Sequence, residues 1–237
     1  MKSISRRSVI SQGALALPLA SAAQGPPAEP KRKIKVIVAG GHPGDPEYAC
    51  GGIAARYSAA GHDVAFLYLN KGEPNGAVRT AEAEKACEIL GARPLWAGQL
   101  DGKAIVDSEH YESFQKIIAA EKPDVLFTHW PVDNHRDHRA ISMLSYDAWL
   151  RLGKHFEFYY FEVSDGEDTL MFSPSHYVDI TAVELRKRAA CYAHASQTPE
   201  RYYPLQDEVA RFRGVESGHT RAEAFIRHVW SEGKLLL

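Results

Sequence analysis

From residue 33 onward the chain alternates short, β-branched apolar runs with longer stretches of helical period, and this alternation narrows its fold more than any other feature. Residues 34–39, Ile-Lys-Val-Ile-Val-Ala, are nearly continuous in apolar character, as a strand covered on both faces requires. Residues 46–60 then read as a helix stopped by Gly61, and 63–69 as a second strand. An Ala/Glu-rich helix over 79–90 closes on Gly91. The spacing predicts further helices over 108–121, 138–150 and 181–194, with Thr181 able to cap the last. Strands are predicted over 124–128, 156–161 and 177–180. Strand–helix alternation of this kind gives an α/β fold, a Rossmann-like three-layer sandwich with a largely parallel central sheet.

In such sheets ligands gather beyond the carboxyl ends of the strands. The turn after the first strand reads Gly41-His42-Pro43-Gly44-Asp45-Pro46-Glu47. The loop after the 124–128 strand reads His129-Trp130-Pro131-Val132-Asp133-Asn134-His135-Arg136-Asp137-His138. Both are expected to open on one edge of the sheet. Neutral imidazoles with a carboxylate suit a catalytic zinc that keeps one position open for water. A lone loop histidine is usually a surface residue. Three histidines and two aspartates within ten positions, opposite His42, point to a metal centre.

Composition excludes several classes. A formal charge of -2 on 237 residues gives no electrostatic footprint for nucleic acid. Cys50, Cys87 and Cys191 form no CxxC pair, so a disulfide framework and a thiolate zinc site are both disfavoured. Residues 1–23 carry Arg6-Arg7 ahead of a short Ala/Leu-rich run and small residues at 20–23, the order of a twin-arginine export signal. The apolar run is too short to span a membrane. Residues 24–32 form a Pro/Ala spacer, leaving 33–237 as a single domain. Losing the leader removes Lys2, Arg6 and Arg7 and no acid, so the mature charge is 25 minus 30, or -5. The expected location is periplasmic or extracellular.

The two loops resemble the signature motifs of the PIG-L/LmbE zinc N-deacetylases, HPDD with a nearby Glu and a downstream HxDH. Arg79-Thr80-Ala81-Glu82, followed by Ala86 and Leu90-Gly91, is similar to the family's RxxE helix. Residues 177–181, Lys187 and His194-Ala195-Ser196-Gln197 are similar to its closing segment. The resemblance covers residues 34–197, in order. It implies His42, Asp45 and His138 as zinc ligands, with another divalent ion such as Fe2+ able to take the place. His135 would sit near the reacting carbonyl, with Asp137 orienting it, and Arg79 would face the substrate. Glu47 matches a glutamate carried by some branches; His194 belongs to a family motif with either a packing or a site role. The substrate implied is a small amino-sugar conjugate that loses an N-acyl group; the oligomeric state is left open.

One position departs from the pattern. Where the family places its general-base aspartate, this chain has Gly44. Another carboxylate could take the role, with Asp137 and Glu47 nearest in sequence. The substrate could supply a group, or the protein could bind metal and sugar without turnover. Trp130, beside the second loop, could stack on a sugar face or pack in the core. Residues 202–204, Tyr-Tyr-Pro, wall a pocket or close the core, and the charged stretch 184–188 reads as a solvated helix face. A dinucleotide oxidoreductase is disfavoured, because residues 39–44 lack GxGxxG and carry a proline where a helix should cradle phosphate.

Overall fold

A computed structural model describes residues 32–237; the stretch expected to be an export signal and almost all of the expected spacer lie outside them. In chain order the elements are β1 (Lys35–Gly40), α1 (Asp45–Ala59), β2 (Asp63–Tyr68), α2 (Gly76–Leu90), β3 (Arg93–Trp96), α3 (Ser108–Glu121), β4 (Val125–His129), α4 (Arg136–Arg151), β5 (Glu157–Phe161), β6 (His176–Asp179), α5 (Glu184–Tyr192), α6 (Pro199–Ser217) and β7 (Ala222–Arg227). They build one seven-stranded sheet in the order β3-β2-β1-β4-β5-β7-β6. The first five strands of that order run parallel, and β7 pairs antiparallel with both β5 and β6. The α/β three-layer expectation therefore holds, with an antiparallel edge added.

The period-2 alternation sorts side chains between two cores. Val36, Val38, Val64, Phe66 and Tyr68 face the layer that holds α1, α2 and α5. Ile37, Ala39, Ala65, Leu67 and Leu69 face the layer of α3 and α4. Because β1 and β4 are adjacent and parallel, the loops that leave their carboxyl ends emerge side by side. That adjacency positions the site.

Three elements lacked a clear sequence signal. Strand β3 is short, half-buried and contains Pro94, which an edge strand tolerates. Helix α6 carries Pro199 in its first turn and Pro204 inside it. Strand β7 reads Ala-Glu-Ala-Phe-Ile-Arg with Glu223 turned inward. The predicted 181–194 helix is a 3-10 turn (Thr181–Val183) followed by α5. Thr181 does not cap it; its hydroxyl meets the Arg221 carbonyl, and its N–H donates to Asp179 Oδ1 at 2.9 Å. The stretch 184–188 is solvated only in part: Leu185 and Arg188 are exposed, but Lys187 is 1% exposed. Its ammonium donates to Glu223 Oε1 at 2.7 Å, and the same carboxylate accepts from the N–H groups of Gly52 and Ile53 in α1. Pairing makes the burial of both charges tolerable.

Candidate metal and active site

Strand β1 ends at Gly40, and α1 begins five residues later with Asp45 in its first turn. The Asp45 carboxylate stands at the positive end of the helix and accepts from the His42 N–H at 2.8 Å, which folds the turn back on itself. Space at the turn is tight: a Cβ on Gly41 would lie 2.9 Å from the His138 ring and 3.2 Å from Asp45 Oδ2. In the loop that leaves the neighbouring strand β4, His135 precedes the first residue of α4 and its Nδ1 accepts from the Asp137 N–H. His138 follows within the first turn of α4.

The side chains converge on Asp45 Oδ2. It lies 3.1 Å from His138 Nε2, 3.2 Å from His42 Nδ1 and 3.4 Å from His129 Nε2. Ligand atoms of His42, His135 and His138 all lie within 4.8 Å of one another, as do those of Asp45, His129 and His138. Four donors on a tetrahedral zinc with bonds of about 2.0–2.1 Å are separated by roughly 3.3–3.4 Å, so the contacts of Asp45 with His42 and His138 are close to the edges of such a polyhedron. The remaining ring nitrogens are held as metal-binding imidazoles usually are. His138 Nδ1 meets Asp133 Oδ1 at 3.0 Å, and His42 Nε2 meets Asp137 Oδ2 at 3.2 Å. The donor set fits a divalent ion.

Electrostatics agree. Burial opposes charge on His42 and His138, yet Asp45 and the other adjacent acids outweigh it, raising His42 well above its ordinary value and His138 to about 9. Burial likewise resists ionisation of Asp45, but the facing histidines hold its carboxyl well below the usual range. The carboxylates thus demand positive charge, which a cation satisfies in place of protons. His135 behaves oppositely: burial and the neighbouring imidazoles lower its pKa and keep it neutral.

These groups open on a cavity of about 440 Å³, lined in part by His42, Asp45, Arg79, His135 and His138. Arg79 donates to the Pro43 carbonyl at 3.0 Å and lies 3.6 Å from Asp101. Other expected site residues are placed elsewhere. Glu47 is fully buried, its oxygens accept from the Gly44 N–H and, at 2.7 Å, the Tyr68 hydroxyl, and His194 Nε2 lies 3.0 Å away. It braces the turn from behind and has no path to a substrate. His194 belongs to that brace and also reaches the cavity wall. Asp137 is fully buried too, accepting from Gly102 N and Asn70 Nδ2, so its carboxylate orients His42, and His135 receives only its backbone N–H. Trp130 packs edge-on to Tyr160 and Phe172, away from the cavity lining.

Tyr202 does wall the cavity, while Tyr203 closes the core against Tyr48 and Tyr192. Glu82 of the RxxE helix accepts from both the N–H and the hydroxyl of Ser196, each at 2.7 Å, joining two of the sequence motifs in one structural junction. His129 and Asp133 count in the sequence toward the metal cluster without separate roles, and Asp101 and Asp168 are not singled out there at all. Asp101 and Asp168 lie in loops that follow the strand ends of β3 and β5, which is the signal that could have found them.

Gly44 has φ +114° and ψ -43°, a conformation that side-chain-bearing residues rarely adopt, although only Tyr48 lies within 4 Å of its missing Cβ. Restoring the aspartate of the family pattern therefore meets backbone strain of about 1–3 kcal/mol. Gly44→Asp is expected to lower thermal stability and to bring no large gain in rate; a gain of a hundredfold or more at unchanged melting temperature would contradict this account of the turn.

Residues 37–149 match the family described as PIG-L, GlcNAc-PI de-N-acetylase. A diacetylchitobiose deacetylase of Thermococcus kodakarensis is 29% identical over 223 residues, covering 82% of this chain and 83% of that protein. Among solved structures, a conserved protein of Thermus thermophilus superposes with a TM-score of 0.73 at 27% identity, over 83% of this chain and 95% of that one. The N,N'-diacetylchitobiose deacetylase of Pyrococcus horikoshii, bound to an inhibitor, gives 0.73 at 24% identity over 82% and 83%. GalB, the 4-carboxy-2-hydroxymuconate hydratase of Pseudomonas putida KT2440, gives 0.72 at 23% identity over 82% and 95%, so the shared fold alone does not specify a reaction. The motifs in order, the match over residues 37–149, which takes in the first four strands, and this architecture together support assignment to the PIG-L family.

Proposed function

We propose that the protein is a zinc-dependent N-deacetylase that hydrolyses the acetamide of an N-acetylglucosamine-like sugar. The observation that carries this reading is the approach of His42 Nδ1 and His138 Nε2 to the same oxygen of Asp45, at 3.2 and 3.1 Å, in the lining of a sugar-sized cavity. The relative that acts on diacetylchitobiose supports the substrate class. When bound, the ion would supply Lewis acidity and a water of lowered pKa.

The chain's own residues have distinct tasks. His42, Asp45 and His138 would hold the ion. His135 is neutral, half-buried and open to the cavity, so it can donate a hydrogen bond to the carbonyl oxygen as negative charge develops there. Arg79, pinned by the Pro43 carbonyl, presents its guanidinium to sugar hydroxyls. With Gly44 bare and with Glu47 and Asp137 committed to buried partners, proton acceptance falls to a carboxylate that faces the cavity. Asp101, which lines the cavity and lies 3.3 Å from His42 Nε2, is placed for that role. A positioned acid or base contributes about a hundred- to ten-thousandfold, so this substitution of roles bears on rate more than on binding.

The absence of an aspartate at Gly44 favours a second reading, a metal- and sugar-binding protein of the same fold with little turnover. A free-amine release assay on N-acetylglucosamine and N,N'-diacetylchitobiose separates the two. Purified protein is expected to carry about one ion per chain by elemental analysis, to release amine, to lose activity on chelation and to regain it with zinc. Metal without amine release on either sugar would leave only the binding reading. Protein without metal after zinc loading would exclude both.

A further inference from the structure

Asp133 stands between the proposed ion and one wall of the cavity. Its carboxylate is 5% exposed as part of the residue and is shared three ways. Oδ1 meets His138 Nδ1 at 3.0 Å and the His135 N–H at 2.7 Å, and Oδ2 accepts from the Thr169 hydroxyl at 3.1 Å. Thr169 is fully buried and closes the segment that follows β5. Its oxygen also accepts from the Val163 N–H at 2.9 Å, and its carbonyl accepts from Gly166 N. Residues 163–170 are thereby folded into a strap, which Ser164 enters at φ +46°. The strap is tied to the β4–α4 loop by Asn134 N to the Asp168 carbonyl, Leu170 N to the Val132 carbonyl and Asn134 Nδ2 to the Glu167 carbonyl. Four of its residues, Val163, Ser164, Glu167 and Asp168, line the cavity.

We propose that Asp133 is a positioning residue that couples this strap to His138, so that the order of the cavity wall and the affinity for the metal ion rise and fall together. The physical basis is one rigid carboxylate with two obligations. Bound at Oδ1, it fixes the His138 ring with Nδ1 turned away and Nε2 free toward Asp45. Bound at Oδ2, it holds the hydroxyl around which the strap is folded. Loosening either end frees the carboxylate to turn, and the other end loses its partner. Linkage makes the effect reciprocal: whatever orders the strap tightens the ion, and the ion orders the strap. The inference rests on the reading that His138 holds the ion, though not on any turnover.

Thr169→Val removes the hydroxyl at nearly constant volume, and Thr169→Ser keeps it. Zinc dissociation constants of the full chain, measured by competition with a chelating dye, are expected to rise roughly 2- to 30-fold in Thr169→Val and to stay within about twofold in Thr169→Ser. Asp133→Asn, which disturbs His138 directly, is expected to weaken zinc by about 10- to 100-fold. Wild-type protein provides a measurement that depends on no variant: adding zinc should slow backbone amide exchange across residues 163–170, and this protection should vanish in Asp133→Asn. Equal zinc affinity in Thr169→Val and wild type, or wild-type strap amides that ignore zinc, would overturn the coupling while leaving the metal site intact. Wild-type protein that binds no zinc would overturn both; failure of amine release alone would touch only the deacetylase reading.

Discussion

Asp45→Asn is expected to leave the purified protein with almost no metal after dialysis and to abolish amine release. Of the carboxylates at the centre, Asp45 alone contacts three imidazoles, from His42, His129 and His138, and its charge is what makes the cluster attract a cation. An outer partner of a metal ligand is worth about 10- to 100-fold in affinity, so loss of a ligand carboxylate should exceed that range. Asparagine preserves volume and can still accept from the His42 N–H, so circular dichroism should show a folded chain. Metal content equal to wild type would move the site away from Asp45 and remove the basis for the proposed chemistry.

A second large effect is expected far from the cavity. Lys187→Met leaves Glu223 charged, 3% exposed and without its cation, while the carboxylate remains fastened to the Gly52 and Ile53 N–H groups of α1. Breaking a buried pair by removing one partner costs about 3–5 kcal/mol. For a domain of this size each kcal/mol moves the melting temperature by roughly 2–4 °C, so a fall of about 6–20 °C is expected in a thermal melt. Lys187→Met with Glu223→Gln should recover part of the loss, since the stranded charge is then gone. A single variant that melts within about 2 °C of wild type would show that the pair does not hold α1, α5 and β7 together.

The same pair shows where the sequence is hard to read. Helix α5 offers Glu, Arg, Lys and Arg within its first five residues, and such density ordinarily marks a solvated face. Nothing local reveals that Lys187 points inward to an acid 36 positions away. Strand β7 is obscured for the complementary reason, because its buried Glu223 breaks the apolar alternation that would announce it. By contrast, β1, β2 and β4 are legible, since strands covered on both faces have little room for polar residues. Their parallel order is enough to bring His42 and His138 to one edge of the sheet.

Within the site, residue type and spacing identify the groups that gather, but not the division of labour among the acids. Asp137 and Glu47 are near the ligands in sequence and were natural candidates for proton transfer. The fold seals both inside, one behind His42 and the other beneath Gly44. Asp101 is 59 positions from His42 along the chain, beyond any local pattern, and only the order β3-β2-β1 brings its loop to the same edge. Which carboxylate meets substrate is therefore a property of sheet order and loop path.

Cys50, Cys87 and Cys191 are unpaired and buried, and burial raises the pKa of each, that of Cys87 to about 12. The folded domain has no covalent cross-link for a reductant to cut, and its thiols are out of reach of an oxidant, so its stability is indifferent to the redox state of its surroundings. The same shielding makes alkylation a clock for the native state: a thiol reagent can mark these sulfurs only as fast as the core opens.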